Sequence, residues 1–472
     1  MRRRLPVAAV VATALGLGAC GERQVDRRAV LDGYRAVAHA SFEAALADAL
    51  RLQASIARLD TTPGPDSLQA ARRAWRAARV SYSQTEALRF GHWFIDDWEH
   101  KVNSWPIDEG FLDYVQRPYD ASPSNPLARA NLIRGGDWVV GGRPLSTEPI
   151  NHLLLERVQQ QSDFEANVAT GYHAIEFLLW GQDLNPSGPG ARPWTDFARD
   201  ATRCTDGPAL APLRHCQRRR DFLVAATELL VLNLRAITPV WGPQAGSYGD
   251  RLVQGDLDQG LRRVLFGLAS FGADELAGER MEVGLIAGAQ EEEQDCFSDD
   301  THHSLYYNAR GIANFYFGRF GDLKVPVSLA DLARATDPAL AQEIADAVAA
   351  SEAALAKIRD AGRSGQTVDR LIAPGNTAGK STNVKTLVLH GWGGDDSAES
   401  FRGPRPPSLP PDRPRNYPEW LVGRGRGVAR PAENPGEGRN GPQAGPGLAL
   451  GECLPPTRCE QMATTAENRL SC

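Results

Sequence analysis

Apolar residues recur at three- and four-residue intervals through most of residues 29 to 361, the period of a helix with one buried face. Ala29 to Leu59 is rich in Ala, Leu and Arg and carries such a stripe, which Asp60-Thr61-Thr62-Pro63-Gly64-Pro65 breaks. Asp66-Ser67-Leu68-Gln69 then predicts a capping box opening a second helix through Arg89. A connection that short makes the two helices antiparallel neighbours, so a bundle follows. Residues 117 to 150 hold Pro118, Pro126, Gly135-Gly136, Gly141-Gly142, Pro144 and Pro149, an irregular excursion. Helical pattern returns from Pro149 to Trp180, then over Leu213–Ala236, Asp250–Gly267, Ala273–Ala287, Tyr306–Phe315 and Leu329–Ala361. Strand patterns are nearly absent. The expected fold is all-α: two helical bundles packed with a cleft between them, residues 27–200 and 201–379, with the boundary between 190 and 215.

The pattern stops after Gly379. Residues 401–447 hold 20 Gly or Pro among 47, with eight Arg and no Lys, a low-complexity composition that cannot bury enough apolar surface to fold. Residues 380–472 are therefore expected to be a disordered tail. The abruptness of the change fits a shifted reading frame in GC-rich coding sequence; a genuine disordered extension is the alternative.

At the other end, Arg2-Arg3-Arg4 precedes an apolar run from Leu5 to Leu17 and then Gly18-Ala19-Cys20, the parts of a bacterial secretion signal ending in a lipobox. The run is too short to be a stable spanning anchor. Residues 1–20 are expected to be a lipoprotein signal, with Cys20 acylated; cleavage near Ala19 as an ordinary signal peptide is the alternative. No Asp follows Cys20, which favours the outer membrane on its periplasmic side. No later segment is expected to reach spanning length. Net charge is −6, with both signs mixed along the chain, so there is no footprint for nucleic acid.

Of the seven cysteines, Cys204 and Cys216 bracket a loop they could close in an oxidising compartment; a pairing of either with Cys296 stays open. No Cys-x-x-Cys-His occurs, which excludes covalently attached c-type haem.

The candidate chemistry centres on Gly171-Tyr172-His173-Ala174-Ile175-Glu176-Phe177-Leu178-Leu179-Trp180-Gly181. Helical spacing puts His173 and Glu176 on one face, an i, i+3 pair that lets an imidazole and a carboxylate converge on one ion. Taken alone, such a pair is more often solvated or capping.

The Gly-x-His-x-x-Glu arrangement before Phe-Leu-Leu-Trp-Gly resembles the imelysin-like family, which includes iron-regulated surface proteins and the periplasmic component of a ferrous-iron uptake system. Thr85-Glu86-Ala87-Leu88-Arg89-Phe90-Gly91, Trp105-Pro106-Ile107-Asp108, and Cys296-Phe297-Ser298-Asp299-Asp300-Thr301-His302 with Asn308 and Gly311-Ile312-Ala313-Asn314 resemble the same family in the same order. The resemblance runs from residue 30 to about 379.

It implies a site for a divalent or trivalent metal ion, iron first and zinc second, since imidazole and carboxylate without thiolate suit these ions. The expected ligands are His173, Glu176, Glu86 and Asp108. Without the resemblance, Glu86 would read as a surface charge and Asp108 as an N-cap. Gly171, Arg89, Ser298, Asp299, Thr301 and Asn308 are expected beside the ligands or against the bound ligand; Ser298 or Asp299 could instead cap a helix. His302, His303 and Glu291-Glu292-Glu293 would add weak affinity.

The expected function is an envelope lipoprotein that binds iron or an iron-bearing ligand for uptake, working with iron-transport or redox partner proteins. The alternatives are a metallopeptidase and a binder of acidic polysaccharide. Against the peptidase, His-Glu-x-x-His is absent and His173-Ala174-Ile175-Glu176-Phe177 lacks the second His of the inverted motif.

Overall fold

A computed structural model describes residues 25–116, 124–140, 142–185, 188–200, 202–205 and 214–373. Cys20 and the expected tail lie outside them.

The described chain is built on α1, Arg27–Thr61. Its buried positions, Val30, Leu31, Tyr34, Val37, Ala38, Phe42, Ala45, Ala49, Leu52, Ile56 and Leu59, run as one stripe down the whole helix. Asp26 caps it by accepting from the Arg28 amide. The second helix, α2, covers Pro65–Ser83 with Gly64 at its N-cap. The expected capping box does not form: the N-cap is Gly64, two residues before Asp66, with proline at the first helical position, where a missing N–H costs nothing. Ser67 instead donates its hydroxyl to the carbonyls of Thr62 and Gly64. Nor does α2 reach Arg89; a short 3₁₀ turn carries Glu86–Leu88.

The irregular excursion holds α3 (Trp93–Glu99), α4 (Glu109–Leu112) and a hairpin of β1 (Asp137–Val140) with β2 (Arg143–Ser146). Then come α5 (His152–Val158), α6 (Gly171–Trp180), α7 (Arg214–Ile237), α8 (Tyr248–Gln254) and α9 (Leu257–Ser270). A π-helical stretch, Phe271–Glu282, joins α9 to α10 (Val283–Ala287). The chain continues through α11 (Thr301–Phe317), the two-residue strands β3 (Arg319–Phe320) and β4 (Leu323–Lys324), α12 (Leu329–Thr336), α13 (Pro338–Arg363) and α14 (Val368–Ile372). Asp337-Pro338 splits what the periodicity suggests is one helix, because Asp337 both ends α12 and caps α13.

Helices α1, α2, α6 and α7 pack as one group, and α11, α12 and α13 as the other. α7, on the far side of the expected boundary, therefore packs on α1 and α6. Contacts of α11 with α2 and with the Glu86–Leu88 turn join the two groups, and their apolar interiors merge into one core. By composition the segment His215–Trp241 is long and apolar enough to cross a membrane, contrary to expectation. Its Phe222, Leu223, Ala226, Leu230 and Leu234 are buried in the protein core. Cys204 and Cys216 form a disulfide, a pair that excludes Cys296.

Candidate metal centre

The start of α6 fixes the site. Gly171 has φ +82°, and a Cβ there would lie 2.4 Å from the Val102 carbonyl carbon and oxygen, so only glycine lets the helix start this close to that backbone. The Tyr172 amide donates to the Val102 carbonyl at 2.8 Å. That approach brings Asn103, the next residue, against His173.

Asn103 then decides how His173 is protonated. Its Oδ1 accepts from Arg79 Nη1 at 2.5 Å, and its Nδ2 donates to Glu86 Oε1 at 2.9 Å and Glu99 Oε1 at 2.8 Å. A guanidinium can only donate and a carboxylate can accept, so the amide cannot be flipped. His173 Nε2, 3.1 Å from Asn103 Oδ1, must therefore carry the hydrogen. Burial, with Arg79 and Arg280 nearby, holds the imidazole well below its usual pKa, so it is neutral at pH 7. Its Nδ1 is left as a bare lone pair.

That lone pair faces two carboxylates. Nδ1 lies 3.0 Å from Glu176 Oε2 and 3.6 Å from Asp295 Oδ1, and the three side chains are at most 1% exposed. Glu176 is aimed by Ser298, whose amide and hydroxyl donate to its Oε1 at 2.9 and 2.7 Å. Asp295 is paired with Arg79 Nε at 3.1 Å, yet neither of its oxygens has a well-formed hydrogen bond. Three acceptors thus converge with only the Arg79 guanidinium to compensate them from the Asp295 side, and such a centre is costly unless a proton or a cation fills it. Burial, reinforced by Asp295, raises Glu176 well above the usual carboxyl range. Burial also raises Asp295, against the pull of Arg79.

The residues fit a metal. Donors held about 2.1 Å from one iron or zinc ion at angles of 90–120° lie about 3.0–3.6 Å apart, which matches the two separations. One imidazole and two carboxylates are an appropriate donor set for either ion. The surrounding charge agrees. Glu86, Glu99, Glu176, Glu275 and Asp295 face the guanidiniums of Arg79, Arg89 and Arg280 in this interior. With His173 neutral and every carboxylate ionised, negative charge exceeds positive by two.

Of the four expected ligands, the structure brings His173 and Glu176 together. Glu86 is near but fully engaged: Oε1 pairs with Arg280 Nη2 at 2.9 Å and Oε2 accepts from Asn308 Nδ2 at 2.8 Å. Despite burial, Arg280 and Arg79 hold its carboxyl below the usual range. Asp108 lies elsewhere, at the N-cap of α4, accepting from Asn125 Nδ2 at 2.9 Å. The third converging carboxylate is Asp295, which stands one residue before the Cys296-Phe297-Ser298 motif.

The flanking residues divide in the same way. Ser298 touches Glu176, and Asn308 orients Glu86. Arg89 reaches Glu275 at 2.5 Å and Asp96 at 3.1 Å. Thr301 Oγ1 accepts from the Asp295 amide at 3.1 Å. Asp299, at φ +54°, is raised to about 8 by burial, Asp183 and Asp369, so it faces those carboxylates.

A family model described as Imelysin (Peptidase_M75) matches residues 38–388. The chain belongs to the Imelysin family. Among curated proteins, "Iron-regulated protein A" of Synechococcus elongatus is 23% identical over 354 residues, covering 73% of this chain and 82% of that protein. Among solved structures, an iron-regulated protein A precursor from Parabacteroides distasonis superposes with a TM-score of 0.52 at 16% identity, covering 77% of this chain and 94% of that one. An imelysin-like protein from Psychrobacter arcticum gives 0.49 at 15% identity. The first of these two supports the all-α fold of this imelysin chain.

Proposed function

We propose that this imelysin chain binds a metal ion, iron first, through His173 Nδ1, Glu176 and Asp295, and serves iron uptake. The observation that carries the proposal is the convergence of three buried acceptor atoms around a histidine whose tautomer Asn103 fixes. Iron is preferred over zinc because the relative from Synechococcus is named as iron-regulated. The lipobox ending at Cys20 supports a lipid-anchored chain on the periplasmic side of the envelope, with the outer membrane favoured. Handing iron on would need a transport or redox partner there.

The peptidase alternative is less well supported. A catalytic metal needs a coordination position that a peptide can reach, whereas His173, Glu176 and Asp295 are at most 1% exposed.

Titration of metal-depleted protein with Fe²⁺ under anaerobic conditions tests the proposal. The expected result is one tight equivalent, lost in His173→Ala, Glu176→Ala and Asp295→Asn. Equal tight binding by wild type and all three variants would refute it.

A further inference from the structure

A second group of ligand atoms sits at the start of α11. Asp300, His302 and His303 each place one donor atom so that all three lie within 4.8 Å of one another. Asp300 stands at the N-cap of α11, but its side chain does not cap the helix. One oxygen faces His303 Nδ1 at 3.0 Å and Arg76 Nε at 3.1 Å. The other, Oδ2, is buried without a hydrogen-bond partner, and so is His302 Nδ1. Asp300 and His302 are 2% and 5% exposed, so neither unpartnered atom is made good by bulk water, and each carries a desolvation cost. α13 closes the far side: a Cβ on Gly362 would lie 2.2 Å from the His302 ring.

We propose that Asp300, His302 and His303 form a second metal site, for a first-row divalent ion. Two imidazoles and one carboxylate are a donor set for Fe²⁺, Zn²⁺ and their neighbours rather than for Mg²⁺ or Ca²⁺. A neutral imidazole keeps a proton on one nitrogen and offers the other to an ion. The His303 side chain is 19% exposed, which gives the ion a route in from solvent. Two features make this site weaker than the inner one. Arg76 already compensates Asp300, and Arg363 Nε donates to His303 Nε2 at 3.1 Å, which holds the hydrogen of the neutral ring on Nδ1. Binding must expel that hydrogen. Arg363 is about half exposed, so it can withdraw.

Calorimetric titration of metal-depleted full-length protein with Zn²⁺ tests the site. The expected result is two classes of Zn²⁺. His303→Gln and Asp300→Asn should each abolish the weaker class and keep the tighter one, whereas His173→Ala should do the reverse. Arg363→Ala should tighten the weaker class at least threefold, an effect that loss of a purely structural contact would not produce. A single class in wild type that His173→Ala abolishes, or a weaker class that survives both His303→Gln and Asp300→Asn, would overturn the proposal. Because the two sites share no ligand, these outcomes leave the reading of the inner site to its own variants.

Discussion

Ser298→Ala is the most discriminating change to the inner site, because it replaces none of the proposed ligands, removes one hydrogen bond to Glu176 and leaves the fold's backbone contacts in place. The hydroxyl donates to Glu176 Oε1 at 2.7 Å, and the Ser298 amide, 2.9 Å away, would remain. In the metal-free protein burial and Asp295 raise Glu176 well above the usual carboxyl range, which favours its neutral form as the acceptor of this bond. Metal binding requires the carboxylate. A hydrogen bond to a charged group contributes about 1.5–3 kcal/mol and one to a neutral group about 0.5–1.5. Metal affinity therefore feels the difference, roughly 1–1.5 kcal/mol, or about 5- to 12-fold weaker binding. Competition with a chromophoric chelator measures that ratio. Asn125→Ala, which removes a partner of Asp108, is the control and should leave affinity within twofold. Unchanged affinity in a folded Ser298→Ala protein would refute the assignment of Glu176 as a ligand.

Other outcomes follow from the same geometry. Metal uptake should release protons, measurable by calorimetry in buffers of different ionisation enthalpy, and affinity should fall as pH drops. In the metal-free protein, Glu176 binds its proton more tightly folded than unfolded. Its contribution to stability is therefore present below the ordinary carboxyl pKa and lost as pH rises toward the folded value. The gap in melting temperature between Glu176→Gln and wild type should accordingly widen in favour of the variant on going from pH 5 to pH 8. Gly171→Ala should destabilise by about 2–5 kcal/mol in denaturant melts, combining a left-handed backbone with a clash against Val102. Cys204→Ser with Cys216→Ser should cost about 3 kcal/mol by the loop-closure relation, given a sequence separation of 12.

The helices were legible where one face repeats without interruption. α1 begins and ends within two residues of the expected span because its stripe and Asp26 cap are local signals. The periodicity announces a helix over Ala273–Ala287 but not its π-helical first part, and Gly64 rather than Asp66 opens α2 because the Pro65 ring already suits the first helical position. The His173–Glu176 pair was legible for the same local reason, since i, i+3 spacing needs no tertiary knowledge. The remaining site residues depend on the tertiary fold. No spacing rule singles out Arg79, yet it is 1% exposed and positions Asn103 and Asp295. Asn103 precedes the Trp105-Pro106 motif by two residues, and Asp295 precedes Cys296 by one, so both stand beside family-like motifs without a spacing rule to select them. Glu86 lies in the same interior, but Arg280 and Asn308 claim its oxygens, which nothing in the sequence shows.

The central claim is the identity of the three atoms that share one ion. Anomalous diffraction at the iron edge, from crystals grown anaerobically with Fe²⁺, locates that ion directly. A peak bonded to His173 Nδ1, Glu176 Oε2 and Asp295 Oδ1 at about 2.0–2.3 Å is the expected result. Iron bound instead by Glu86 or Asp108, or no density beside His173 at saturating Fe²⁺, would contradict it.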